Sequence, residues 1–216
     1  VTEPTTLATD YLLGGLAAVL ATRLFTEYRN CSQRALRMWA AAFVAVAVAS
    51  FAGGTYHGFG LAMPGRAALA VWKLTTVSMG VASFFLLASA LNASFSGRLR
   101  FWLLAAAWTK LALYLVWMIN HDGFVWVVLD YGSALLIVLV LAITGRLHGL
   151  PGRRALIVSG ILVSIAAAVV QQSGIGLHRH FNHNDLMHVI QMGGVWLLFK
   201  GGMRLRDAEV AHGNQP

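Results

Sequence analysis

A chain of 216 residues that is 58% hydrophobic and only 11% charged cannot cover itself against water, because an ordinary soluble domain carries roughly 25% charged residues. The formal net charge of +8 raises the question of nucleic acid, and the placement of that charge argues against it. Cys31 is the single cysteine, so no disulfide can form within the chain.

Taken in chain order, apolar runs of about 20 residues predict seven membrane-spanning helices, over 7–25, 38–63, 67–92, 99–119, 123–144, 155–172 and 184–202. The breaks between them read MPGR, NASFSGR, NHDG, GRLHGLPGRR and SGIG, which is the punctuation expected of short connections. The expected fold is all-α, a seven-transmembrane-helix bundle in which residues 1–216 form one integral, multi-pass membrane domain.

Basic residues sort by side. Twelve of them, Arg23, Arg29, Arg34, Arg37, Arg98, Arg100, Arg146, Arg153, Arg154, Lys200, Arg204 and Arg206, fall at one end of the spans, and only Arg66 and Arg179 fall at the other. Positive residues collect on the cytoplasmic side, so the N-terminus is expected outside and the C-terminus in the cytoplasm. The surplus charge is then topological, and membrane lipids rather than nucleic acid are the expected partners. Histidines divide the other way. His57, His121, His178, His180, His183 and His188 lie toward the outer side, and only His148 and His212 lie inside.

Several spans deliver polar groups to similar depths. At ~1.5 Å per residue, His57 is within about 10 Å of the outer end of span two and His188 about 6 Å into span seven. Asp130 lies roughly 10 Å into span five, Lys73 about 9 Å into span three, and Asp10 near the start of span one. Ser50 shares the His57 face two turns deeper, and Gln171 and Gln172 close span six. Lys110, near the middle of span four, is a candidate partner for Asp130. Ionisable groups inside a bilayer cost ~2.5–3.5 kcal/mol each on insertion scales and therefore face an interior with a purpose. A buried ion pair is the structural alternative for Asp130, and solvated loop positions are the alternative for His178 and His180. Three histidines with one open position can hold a catalytic zinc. Here His57, His183 and His188 are the candidate ligands, with Asp185 able to orient one of them from behind. Because His183 and His188 are five residues apart, about 140° around a helix, that set requires His183 to lie in a non-helical turn.

Seven spans with the N-terminus outside, a serine and a histidine on span two, and HNDLMH at the start of span seven resemble the CREST superfamily of membrane hydrolases. That group includes the alkaline ceramidases, the adiponectin-type receptors and the Per1-like GPI-remodelling proteins. The resemblance implies zinc held by His57, His188 and His183, Asp130 as the catalytic acid–base group, and Ser50 or Thr55 supporting the oxyanion. It implies hydrolysis of a lipid amide or ester in the outer half of the bundle. The sequence departs from the family pattern in three places. Ser50 stands seven residues before His57 where four is usual, no aspartate follows His57 on the next span, and the span-seven histidines are five apart rather than four.

Three rivals compete with the hydrolase. His57 and His188, with Met192 in reserve, could be axial ligands of a haem in an electron-transfer protein. Asp130, Lys110 and the histidines could form the proton relay of a transporter. The chain could also be an accessory subunit that makes lateral contacts with other membrane subunits. A retinal protein is disfavoured, since Lys200 lies at the end of span seven.

Overall fold

The computed structural model describes residues 1–149, 152–178 and 181–208. Among them the chain forms seven α-helices: α1 (Pro4–Cys31), α2 (Arg34–Phe59), α3 (Gly65–Ser94), α4 (Gly97–Asn120), α5 (Phe124–Ile143), α6 (Arg153–Ser173) and α7 (His183–Gly202). Each matches an expected span, and most run past the apolar stretch into polar flanks. The first six are long and apolar enough to cross a membrane, as a multi-pass membrane protein requires. α7 carries His183, Asp185, His188, Gln191 and Lys200 within 20 residues, a polar load that only an interior-facing helix can tolerate.

Short turns make consecutive helices antiparallel. The α1–α2 connection is two residues long, with Ser32 in the left-handed region at φ 55° and its N–H donated to the carbonyl of Tyr28. Six helices close a ring in the order α1, α2, α3, α5, α6, α7, with α7 returning to α1, and α4 packs on α3 from outside. Glycines set the spacing. A Cβ at Gly54 would lie 2.8 Å from Asp10 Cβ and Tyr11 Cδ1, and one at Gly201 would lie 2.9 Å from the backbone nitrogen of Ile157. Side chains at these positions would force α1 from α2 and α7 from α6.

The two ends of the ring differ. At the arginine end, Leu24, Leu36, Trp39, Ile157, Ile161 and Phe199 interlock in one apolar core. The segment after α7 folds back beneath it, where the Asp207 carboxylate accepts the backbone N–H groups of Arg34 (3.0 Å) and Ala35 (2.8 Å) and so caps α2. Toward the histidine end the ring parts around a cavity of about 850 Å³.

Candidate functional site

The cavity wall is built by helical phase. α2 contributes Val46, Ser50, Gly53 and His57, and α7 contributes Asn184, Met187, His188 and Gln191. Each set repeats at the three- and four-residue spacing that keeps side chains on one face. Eleven residues separate His57 from Val46, so the cavity runs about 16 Å down the bundle axis. Its deep walls are apolar, with Leu13, Val46, Leu135 and Ile165, and its shallow end collects Asp10, His57, Gln171, Gln172, Asn184 and His188. Leu136 on α5 and Val169 on α6 line it while remaining 55% and 61% exposed, so the wall between those two helices is open sideways.

At the polar end two carboxylate–imidazole pairs form. His188, 6% exposed, places Nε2 3.1 Å from Oδ1 of Asp10, itself 6% exposed. Its Nδ1 lies 3.0 Å from the Thr9 hydroxyl. With Nε2–H donated to the carboxylate, a neutral His188 accepts at Nδ1 from Thr9. The same hydroxyl is 3.2 Å from the carbonyl of Thr6. It can therefore turn and donate there while a protonated His188 donates to it, so the His188–Thr9 bond persists in both states and the bond to Thr6 forms only in the protonated one. Beside this pair, His57 Nδ1 meets Glu3 Oε2 at 2.9 Å. Asp10 packs against α2 because Gly54 leaves room, a Cβ there lying 2.8 Å from Asp10 Cβ.

Several sequence expectations land elsewhere. Asp130 does not join the histidines. Its neighbours Val127, Val128 and Tyr131 line the cavity, which by helical phase turns Asp130 toward α4, where its carboxylate accepts from Lys110 Nζ. Lys110 also donates to Ser83 Oγ at 3.0 Å. The structural ion pair is thus the arrangement observed, and the acids beside the histidines are Asp10, at His188, and Glu3, at His57. Nor does His183 fold back. It is the first residue of α7, following a capping box in which the Asn182 side chain accepts from the N–H of Asp185 and the Asp185 carboxylate accepts from the N–H of Asn182. Helical geometry then aims it about 140° away from His188, and Asn184 takes the position facing the cavity.

The zinc set of His57, His183 and His188 is therefore not gathered, and among the described residues no three His, Cys, Asp or Glu side chains form a group able to hold a metal ion. His57 and His188 do share the cavity wall, each with a ring nitrogen facing a carboxylate rather than a common centre. Met192 packs against the apolar core. Ser50 lines the cavity as expected, whereas Thr55 bonds the Tyr11 hydroxyl at 2.9 Å. Lys73 serves structure, pairing with Asp122 (2.6 Å) and donating to the carbonyls of Met118, Ile119 and His121 at the end of α4. Asp185 caps its helix, its Oδ2 accepting from the N–H of Asn182 at 2.7 Å, while its Oδ1 is buried without a partner among the described residues. His178 bridges to Phe181 in the α6–α7 turn. Arg179, His180 and His212 lie outside the described residues.

Sequence reasoning undervalued α1. Thr6, Thr9 and Asp10 are spaced three and four apart within TTLATD, the pattern of one helical face, and that face meets α7.

The fold and site together define an α-helical bundle, six of whose helices are long and apolar enough to cross a membrane, with a buried Asp–His pair at the head of an apolar cavity. Residues 5–207 match one family model, and the chain belongs to that family, a family of unknown function (DUF6962). No curated protein matches the chain. No solved structure matches it either.

Proposed function

We propose that this is an integral membrane protein, its N-terminus outside and its C-terminus cytoplasmic, that takes an amphiphilic lipid into the cavity and hydrolyses it at the polar end. The observation that carries the reading is the Asp10–His188 pair, buried at the head of an apolar shaft that opens sideways between α5 and α6. An acyl chain passes through that opening from the bilayer, and its head reaches the shallow end, where Asp10, His57 and His188 collect. At about 850 Å³ the cavity falls in the size range of small-molecule sites, roughly 300–1,000 Å³. The twelve-to-two division of basic residues supports the orientation.

The chemistry assigned is hydrolysis of a lipid amide or ester, in keeping with the CREST resemblance, with Asp10 in the role first expected of Asp130. Asp10 takes a proton from water as the water oxygen adds to the acyl carbon. The C–N or C–O bond then breaks, and the proton passes from Asp10 to the leaving amine or alcohol. His188 is a positioning residue, holding Asp10 through Nε2 while Thr9 holds His188. Ser50, deeper on α2, lines the same cavity and would hydrogen-bond the head. The three-histidine zinc set does not fit the side chains as they stand, and no step is routed through a metal.

The test is direct. Protein purified in detergent is extracted and its retained lipids identified by mass spectrometry, and it is then incubated with a panel of lipid amides and esters while fatty-acid release is followed. Turnover of at least one class, abolished in Asp10→Asn, supports the reading. Retained lipid without turnover overturns the hydrolase and leaves a binding protein, and neither lipid nor turnover overturns both.

A further inference from the structure

We propose a second binding site at the arginine end, one that takes a phosphate group where α1, α6 and α7 meet. A separate cavity of about 440 Å³ lies there, with Arg23, Arg153, Lys200 and Arg204 around it and Phe199 and Met203 beneath. Four cations from three regions of the fold converge on one concavity, and the acid among them, Glu27, is occupied by Arg204 at 2.9 Å. Three positive charges remain in excess of the acid. Two of the cations are held in place. Arg153 Nη1 donates to the carbonyl of Lys200 at 2.9 Å, and the Lys200 ammonium lies 4.9 Å over the Trp196 ring.

Arg153 is also the first residue of α6, whose preceding residue Gly152 (φ 79°) supplies no capping side chain. The positive end of that helix therefore adds to the field at the same place. Arginine forks match the oxygens of a phosphate, and ammonium groups neutralise it. A solvated array of topological charges would not need a shared hollow floored by the buried Phe199, and a head group with a glycerol or acyl portion would. An anionic phospholipid is one source of the phosphate and rests on the membrane reading. Free phosphate is the other and does not. Neither depends on catalysis at Asp10.

The experiment titrates detergent-purified protein with dioctanoyl phosphatidylglycerol, dioctanoyl phosphatidylcholine and inorganic phosphate, following binding by native mass spectrometry and thermal midpoint. Arg23→Gln, Lys200→Gln and their double variant are compared with Arg66→Gln at the opposite end. The expected result is saturable phosphatidylglycerol binding at least tenfold tighter than phosphatidylcholine. It should weaken about fivefold for each charge removed and be unchanged in Arg66→Gln. Inorganic phosphate binding as tightly as the anionic lipid would assign the site to the free ion and overturn the lipid source. Equal binding of the two lipids, or anionic-lipid binding that survives the double variant, would overturn the site.

Discussion

The two halves of the bundle solve opposite problems with the same helices. At the arginine end six helices fill their shared space. Trp39 and Leu36 have no exposed surface, the Trp39 indole donates to the carbonyl of Leu198 (3.2 Å), and the returning chain caps α2 through Asp207. At the histidine end the same helices separate, and the shallow part of the space is lined by Asp10, two imidazoles and amides. In the membrane proposed for it, apolar side chains gain little by leaving lipid, so the filled half would be held by close packing and by hydrogen bonds between helices. The open half forgoes that packing. Its buried ionisable groups bring a cost that stability alone would not select. The packed half thus holds the ring from which the open half presents its polar end.

That contrast can be broken by substitution, starting with the filled half. Trp39→Ala should lower stability by about 3–5 kcal/mol, read as thermal or denaturant unfolding in detergent, since it empties the best-packed position and strands the Leu198 carbonyl. A loss under 1 kcal/mol would show that the arginine end is not the rigid half. Next comes the ion pair outside the ring. Asp130→Ala should cost about 3 kcal/mol by leaving Lys110 without its partner, whereas Asp130→Leu combined with Lys110→Met should recover most of it. Specific activity should be retained by the folded double variant, and its loss would return Asp130 to the site.

In the open half the order of effects reverses. Asp10→Asn should lower turnover at least about 100-fold, roughly 2.7 kcal/mol in the barrier, while the thermal midpoint stays near that of the wild type. A collapse in stability with no separate effect on rate would make the Asp10–His188 pair structural. Asp207→Ala, at the far end, should cost about 1 kcal/mol, the usual worth of a helix N-cap, and leave turnover intact. His183→Ala is the smallest. It should change stability by less than about 0.5 kcal/mol and turnover not at all, whereas a marked loss of turnover would revive the zinc set.

Legibility in the sequence followed the same division. The seven helices were readable because a span is a local property, a run of apolar residues ended by glycine, proline or charge. His57, His188 and Ser50 were readable as cavity candidates because depth is simply distance along a helix. Asp10 was visible only as a polar residue near the start of span one, although TTLATD carried the spacing of a polar face. His183 was misplaced for a local reason as well. The Asn182–Asp185 capping box starts the helix at His183, which fixes its direction.

By itself, then, the sequence determined the number of helices, their ends to within several residues, and the depth of each polar group, because rise per residue is constant. Only the tertiary structure decided which groups meet. The ring order sets α1 against α7, so Asp10 finds His188, and it leaves α4 outside, so Lys110 claims Asp130. Each residue turns a helix by about 100°, so a side chain's partner depends on which neighbour lies on that bearing, and contacts far apart in the chain settle that.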